Sequence, residues 1–346
     1  MTRRDETRAL KIGPLALGGG APVSVQSMAN ADPHDADALV AQIEACAALG
    51  CDIMRLTVPD EAAAATFAEV KKRSPLPLVA DIHFDYRLAL AALAAGADAL
   101  RLNPGNIGSR ERVQAVARAA KAKGTPIRIG VNGGSLEKGE TLVSSALKHL
   151  KLLEDEGFRD VVLSAKASDA AATIATYREL AEKTDCPLHL GVTEAGTFLP
   201  GTVRSSVALG VLLSEGIGDT IRVSLTAKPE KEVRVGTEIL RSLALRSPGP
   251  AITSCPTCGR TKVDLVHIAS QVEIALETLY HDQPGRFPHV AVMGCAVNGP
   301  GEAKCADIAL CGGDGEFVVY VKGKPVGKVS EADAVAEVVR HVVHPA

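Results

Sequence analysis

The chain contains no tryptophan, and aromatic residues fill only 3% of its 346 positions. Platforms for stacking nucleic-acid bases are therefore scarce. Neither sign of charge is in excess: 38 Lys and Arg face 41 Asp and Glu, for a formal net charge of -3. That balance argues against a non-specific nucleic-acid binder. No apolar run reaches the roughly 18 residues that a membrane span requires. The N-terminal stretch carries Asp5 and Glu6 and lacks an apolar core, so a secretory signal is not expected. The expected setting is cytoplasmic, where eight cysteines suit metal binding or chemistry better than disulfides. Low-complexity segments and long charge runs are missing too. What is plentiful is apolar surface, 46% of residues against 23% charged, which supplies a large core and excludes global disorder. At roughly 150 residues per domain, the length suits two domains, or one large α/β barrel with an appendage.

From about residue 23 to 245 one rhythm repeats. Short β-branched apolar runs alternate with Ala-, Leu-, Glu- and Lys-rich stretches of helical period. The predicted strands are Val23–Gln26, Ile53–Val58, Pro77–Ile82, Ala99–Asn103, Ile127–Val131, Asp160–Leu163, Leu188–Gly191 and Thr220–Ser224. Helices are predicted between them, from Asp37–Ala48 through Val203–Ser214 to Glu230–Leu243. Eight such units are the arithmetic of a (β/α)8 TIM-type barrel, with a doubly wound open sheet as the alternative. The breaker cluster Arg246–Pro250 reads as a linker. Beyond it lie five of the eight cysteines, a predicted helix at Asp264–Leu279, several strands and a closing helix. The expected organisation is thus a barrel over residues 1–245 and a small α+β domain over 246–346.

In a barrel enzyme the chemistry sits at the C-terminal ends of the strands. Here every predicted strand end delivers polar groups: Gln26 and Ser27, Arg55 and Thr57, Asp81 and His83, Arg101 and Asn103, Arg128 and Asn132, Ser164 and Lys166, His189 and Glu194, Arg222 and Ser224. Four arginines interrupt otherwise apolar strands. A single strand-end arginine is commonly a local salt-bridge partner. Eight polar strand ends together point instead to a pocket for an anionic ligand. Four guanidiniums and Lys166, set against Asp81 and Glu194, leave a positive excess that a diphosphate would balance. Lys166 could alternatively be a Schiff-base nucleophile. Gly18-Gly19-Gly20 precedes the first strand and reads as a turn.

Cys255-Pro256-Thr257-Cys258 is a Cys-x-x-Cys pair, and Cys295 follows within Gly294-Cys295-Ala296-Val297-Asn298-Gly299-Pro300-Gly301-Glu302. The second Cys-x-x-Cys of a zinc ribbon is lacking, as is dense ferredoxin spacing. Three thiolates suit a [4Fe–4S] cluster with one iron held by another donor. Glu302 is a candidate, because the glycines and Pro300 around it bring backbone close. Cys46, Cys51 and Cys186 fall in helix or strand patterns and are expected to be buried apolar residues.

These segments, with Pro22-Val23-Ser24-Val25-Gln26-Ser27-Met28, Ala80-Asp81-Ile82-His83-Phe84-Asp85, Arg101-Leu102-Asn103-Pro104-Gly105-Asn106, Lys166-Ala167-Ser168-Asp169 and Thr193-Glu194-Ala195-Gly196-Thr197, carry a resemblance over nearly the whole chain. The sequence resembles the bacterial 4-hydroxy-3-methylbut-2-enyl diphosphate synthases of the non-mevalonate isoprenoid pathway. The resemblance implies a TIM-type barrel followed by an iron–sulfur domain like half of a sulfite reductase. It implies two-electron reductive ring opening and dehydroxylation of 2-C-methyl-D-erythritol 2,4-cyclodiphosphate, with flavodoxin or ferredoxin as electron donor. It places a [4Fe–4S] cluster on Cys255, Cys258, Cys295 and Glu302. It places substrate near Arg55, Arg101, Asn103, Arg128, Asn132 and Lys166, with Asp81 and His83 in the same pocket and Glu194 as acid/base residue. Cys305 and Cys311 follow the last motif at positions where the family pattern does not call for cysteine.

Two other readings compete. One is a phosphosugar aldolase or lyase with a Lys166 Schiff base and a zinc-stabilised tail. The other is a metal-stabilised interaction module, which eight polar strand ends disfavour. Assembly can also be anticipated. The last barrel helix ends at the rim opposite the active mouth, and a short linker with two prolines is stiff. A head-to-tail homodimer, each tail capping the partner's barrel, meets that geometry, and the resemblance implies the same.

Overall fold

The computed structural model describes residues 3–246, 249–282, 288–297 and 299–344. The chain divides into two units, Met1–Arg246 and Ser247–Ala346. In the first, two short apolar segments flank Gly13-Pro14 and form a hairpin, β1 (Leu10–Ile12) with β2 (Leu15–Leu17). Gly13 turns at φ 58°, and a Cβ there would stand 2.7 Å from Asp98 Oδ1, so the turn needs glycine.

Eight strand–helix units follow. They are β3 (Ser24–Met28) and α1 (Ala36–Ala48), β4 (Ile53–Thr57) and α2 (Glu61–Arg73), β5 (Leu78–Asp81) and α3 (Tyr86–Ala94). Next come β6 (Ala99–Leu102) with the short α4 (Pro104–Ile107) and α5 (Arg110–Lys123), β7 (Ile127–Asn132) and α6 (Leu142–Glu154), and β8 (Val161–Lys166) and α7 (Ala170–Lys183). The series ends with β9 (His189–Leu190) and α8 (Phe198–Ser214), then β10 (Thr220–Ile221) and α9 (Pro229–Ser242). Side chains of Asp35, Asp60, Asp85, Thr141 and Asp169 accept hydrogen bonds from the first turns of α1, α2, α3, α6 and α7, so these five loop-to-helix junctions are capped by their own sequence.

The eight strands pair in parallel in the order β8-β7-β6-β5-β4-β3-β10-β9. A parallel bridge between Leu163 and Leu188 joins β8 to the segment entering β9 and closes the ring. The chain therefore has the TIM-type barrel expected of it. Strands β9 and β10 are shorter than their apolar runs, and α8 begins at Phe198 rather than at the predicted Val203. Pro200 and Gly201 read as a break in the sequence, yet proline is tolerated in the first turn of a helix, where no backbone donor is lost.

The N-terminal hairpin packs against one end of the barrel. Leu10, Ile12 and Leu17 lie against Ile53, Val79, Ala99 and Val162, the inward residues near the starts of four strands. Beside them Asp219 accepts from Thr7 Oγ1 and from the Leu188 amide, both at 2.8 Å. Burial pushes its carboxyl up to about 6. At the same end Arg246 grips Asp52 through two hydrogen bonds of 3.0 and 3.1 Å, so the chain leaves this unit at the end opposite the active mouth. Cys46, Cys51 and Cys186 are buried, and burial raises their thiols to about 12, 12 and 11.

The second unit has β11 (Ala251–Ser254), α10 (Leu265–Asp282), β12 (His289–Met293), α11 (Gly299–Glu302), β13 (Ile308–Gly312), β14 (Glu316–Val321), β15 (Lys324–Ser330) and α12 (Ala334–Val343). Its five strands lie in chain order, the first three parallel and the last two antiparallel. Strand alternation splits the faces. Val290, Val292 and Leu310 meet Val272 and Leu276 of α10 and Val338 of α12, whereas Ala291, Met293 and Cys311 turn to the other face, which Ala303 covers. Ser247 and Pro248 of the predicted linker lie outside the described residues. Among the described residues no helix is long and apolar enough to cross a membrane.

Candidate active site

Parallel strands with both faces covered place every second residue inside the barrel. On β7 the inward set is Arg128, Gly130 and Asn132; on β8 it is Val162, Ser164 and Lys166. Register then sets the neighbours: Asp81 of β5 pairs with Arg101 of β6, Arg101 with Arg128 of β7, and Asn132 with Lys166 of β8. A cavity of about 210 Å³ opens over these residues. Its lining includes Met28, Arg55, Asp81, His83, Arg101, Arg128, Asn132, Lys166, Thr193, Arg222 and Ser224.

Five cationic side chains converge there, and two buried carboxylates face them. Asp81 lies 3.1 Å from Arg101 Nη1, 3.6 Å from Arg55 Nε and 3.5 Å from His83 Nε2. Burial by itself would raise the Asp81 carboxyl, but Arg55, His83 and Arg101 hold it well below the usual carboxylate range. The second carboxylate is Glu232, from the first turn of α9. It accepts from Ser27 Oγ at 2.9 Å, from the Leu225 amide at 2.9 Å and from Arg222 Nη2 at 3.3 Å.

The cations lack comparable compensation. Burial lowers Arg55 to about 10 despite Asp81. Burial, then Arg55 and Arg101, depress Arg128 well below its ordinary value. A guanidinium does not release its proton in a protein, so this cost stands as repulsion and lost hydration. Arg128 Nη1 donates to Gln26 Oε1, while its buried Nη2 has no partner among the described residues; nor does Arg222 Nε. Lys166 is pushed well below the usual lysine range by burial and by Arg222, Arg128 and Arg55. Such an arrangement is complementary to a compact polyanion with several oxygens.

Two glycines make the crowding possible. A Cβ on Gly130 would come within 2.5 Å of Arg101 Nε. A Cβ on Gly191 would come within 2.6 Å of Lys166 Nζ and 2.5 Å of the Arg222 carbonyl oxygen.

Of the residues expected at the site, Arg55, Asp81, His83, Arg101, Arg128, Asn132 and Lys166 are brought together. Asn103 is buried just before α4 and is not in the cavity lining. Glu194 sits exposed on the loop after β9 at φ 51°, outside the lining. The charge balance drawn from sequence counts Glu194; the buried partner is Glu232, which strand-end reasoning passes over because it lies in a helix.

In the second unit the cysteines gather at one end of the sheet. Cys255 follows β11 and its amide donates to Val292 O of the neighbouring parallel β12, while Cys295 follows β12. The Cys255 loop curls back: Cys258 N donates to Thr261 Oγ1 at 3.3 Å and Thr261 N to Cys258 O at 3.0 Å. Thr261 then packs on Gly294, where a Cβ would stand 2.8 Å from its methyl. Three thiols on two adjoining loops, with Cys258 exposed and Cys255 and Cys295 half-buried, are soft donors suited to an iron–sulfur cluster. Glu302 is exposed on α11 beside them in sequence, and Asn298 of that motif lies outside the described residues. Among the described residues no three His, Cys, Asp or Glu side chains are gathered at metal-binding distance. Cys311 is buried under Gly299, and burial raises its thiol to about 11. Cys305 is exposed one turn beyond Glu302.

Comparison with known proteins gives a consistent result. Residues 7–237 match the GcpE TIM-barrel domain and residues 251–344 the GcpE protein C-terminal domain. A Clostridium acetobutylicum protein named 4-hydroxy-3-methylbut-2-en-1-yl diphosphate synthase (flavodoxin) is 51% identical, covering 98% of this chain and 99% of the relative. Proteins of the same name from Bacillus subtilis and Geobacter sulfurreducens are 50% and 52% identical, covering 99% and 95% of this chain and 92% and 95% of theirs. Among solved structures, a Yersinia pestis dihydropteroate synthase superposes with a TM-score of 0.52 at 15% identity, over 68% of this chain and 97% of that one. At that identity the likeness concerns the fold.

The Gly191→Ala variant should weaken inorganic pyrophosphate binding at least about tenfold, because both Lys166 and the Arg222 backbone are displaced. Gly130→Ala, which meets only a side-chain tip, should cost less. Titration calorimetry with circular dichroism as a folding control measures this; equal affinity in Gly191→Ala and parent would contradict it.

Proposed function

The chain belongs to the GcpE family, and from that premise we propose that it converts 2-C-methyl-D-erythritol 2,4-cyclodiphosphate to 4-hydroxy-3-methylbut-2-enyl diphosphate by two-electron reductive ring opening and dehydroxylation. The observation that carries the reading is the cavity with Arg55, Arg101, Arg128, Lys166 and Arg222 facing, among the described residues, the carboxylates of Asp81 and Glu232. Two linked phosphoryl groups match that excess. The aldolase alternative finds no support among the relatives.

In this reading the arginines and Lys166 bind and orient the diphosphate, and Asn132 contributes a neutral contact. Asp81 stays ionised at neutral pH. It therefore holds Arg55 and Arg101 in place and orients His83, and does not itself donate a proton. Glu194, exposed on its loop, is suited to bring a proton from solvent to the departing hydroxyl. Asn103, buried and accepting from the Asn106 amide through its carbonyl, supports the loop that follows Arg101. Cys255, Cys258 and Cys295, with Glu302, would hold a [4Fe–4S] cluster, which supplies the electrons one at a time from flavodoxin or ferredoxin. The free thiols support a cytoplasmic setting.

The barrel's exit point supports a homodimer. Arg246 ties the chain to Asp52 at the barrel end away from the mouth, so a cluster domain reaches a mouth most simply on a second copy. The proposed domain roles are substrate binding for residues 1–245 and electron delivery for 246–346.

Anaerobically purified protein should contain four iron and four sulfide ions per chain, in line with a [4Fe–4S] centre. Cys255→Ala, Cys258→Ala and Cys295→Ala should each lose them while keeping barrel helicity. Cys305→Ala and Cys311→Ala should keep colour and activity, and Glu302→Ala should lose most activity. Loss of iron in Cys305→Ala, or full iron in a variant of the first three, would overturn the ligand assignment.

Composite sites are tested by coexpressing an Arg128→Ala/Glu194→Ala chain with a Cys295→Ala chain. One working site per heterodimer is expected. Activity no higher than either parent variant, in confirmed heterodimers, would show that each chain works alone.

A further inference from the structure

Lys166 does not stand alone in the barrel. His189, fully buried on the adjoining β9, places Nε2 3.4 Å from Lys166 Nζ. Its other ring nitrogen, Nδ1, lies 3.4 Å from Thr220 Oγ1 on β10. The main chain around the pair is fixed as well. Tyr177 donates its hydroxyl to His189 O at 2.6 Å and accepts from the Ala165 amide at 3.2 Å, tying β8 to β9 just below Lys166.

An ammonium can only donate, so Nε2 must accept, and the imidazole then carries its own proton on Nδ1, directed at Thr220. Charges on every side favour that neutral form. Arg128 of β7, Arg55 of β4 and Arg222 beyond β10 all face the pair, and Glu232 is the facing carboxylate. Burial together with Arg128 and Lys166 keeps His189 far below its ordinary range, so it does not become a sixth cation.

We propose that His189 is a positioning residue: a neutral acceptor that aims the Lys166 ammonium at the cavity and sets the pH at which the pocket takes a diphosphate. The inference rests on the reading of the cavity as an anion pocket. The histidine and lysine hold a single mobile proton between them. As pH rises through the lowered value of Lys166, that proton is lost to solvent and anion affinity falls. A bound diphosphate restores the ammonium, so binding above that pH takes up a proton from the buffer.

The test is calorimetric titration of the full-length protein with inorganic pyrophosphate, across about pH 6 to 9 and in buffers of different ionisation heat. Relative to Lys166→Met, which reports the ionisation of pyrophosphate itself, the parent's binding advantage should fall as pH rises, with proton uptake. His189→Leu should move this limb to lower pH by about one unit, weakening binding on the limb about tenfold. His189→Gln, whose amide oxygen can accept, should move it back toward the parent. Thr220→Val, which removes only the hydroxyl facing Nδ1, should give a smaller shift of the same sign, and it serves if His189→Leu does not fold. A folded His189→Leu protein with the parent's pH limb, or an unchanged limb in Thr220→Val, would reduce His189 to packing. Lys166→Met separates the two levels of the argument. It should remove the lysine's share of the proton uptake and of the pH limb, leaving only the ionisation of pyrophosphate itself, and a variant that keeps the parent's affinity and limb would overturn the anion pocket itself.

Discussion

The structure depends on holding like charges together inside an apolar ring. Two unit charges about 4 Å apart interact by roughly 4 kcal/mol at an effective dielectric near 20. Several cations packed at such range therefore cost more than a surface salt bridge, worth up to about 1 kcal/mol, could offset. The barrel meets this with a few buried partners. Asp81 is shared by Arg55 and Arg101, Glu232 holds Arg222, and Gln26 takes one donor of Arg128. In the proposed reading the remainder of the compensation comes from the bound diphosphate. A site that stabilises a polyanion in this way is under-stabilised without it, the usual trade between function and stability.

That constraint explains features which otherwise look unrelated. Glycine occupies Gly130 and Gly191 because a methyl would displace Arg101 and Lys166. The parallel register lines up Asp81, Arg101 and Arg128 on adjacent strands. The opposite end of the barrel is apolar and plugged by the β1–β2 hairpin, so the polar half rests on a packed, apolar base. Such a base keeps long arginine side chains directed toward the mouth. The second unit follows another economy. Its thiols sit on loops after neighbouring parallel strands, where glycines let those loops lie close together.

Much of this is legible in the residues alone. The barrel is legible because eight β-branched runs alternate with eight helical stretches, and the cation cluster because each arginine interrupts an apolar strand. Other parts are hidden for physical reasons. The Leu10–Leu17 hairpin precedes the βα rhythm and is only two three-residue strands, so its pattern is too short to stand out. Glu232 lies on a helix beside Glu230, and only the docking of α9 on β3 decides which carboxylate meets Ser27 and Arg222. Glu194 and Asn103 follow strands as site residues should, yet a left-handed turn carries the first outward and the second is buried just before α4. His189 is visible as a strand residue, but its pairing with Lys166 is set by barrel closure, which periodicity does not encode.

The central claim is that the cation cluster is costly when empty and is relieved by a diphosphate. Replacing Arg128, which has a buried donor without a partner among the described residues, by methionine tests it most directly. The measurement is the thermal midpoint of the barrel transition, with and without the cyclic diphosphate, in parent and Arg128→Met. The account predicts that the variant melts higher than the parent without ligand and shows little or none of the parent's ligand-induced rise. A variant that melts lower without ligand and keeps the full rise would contradict it.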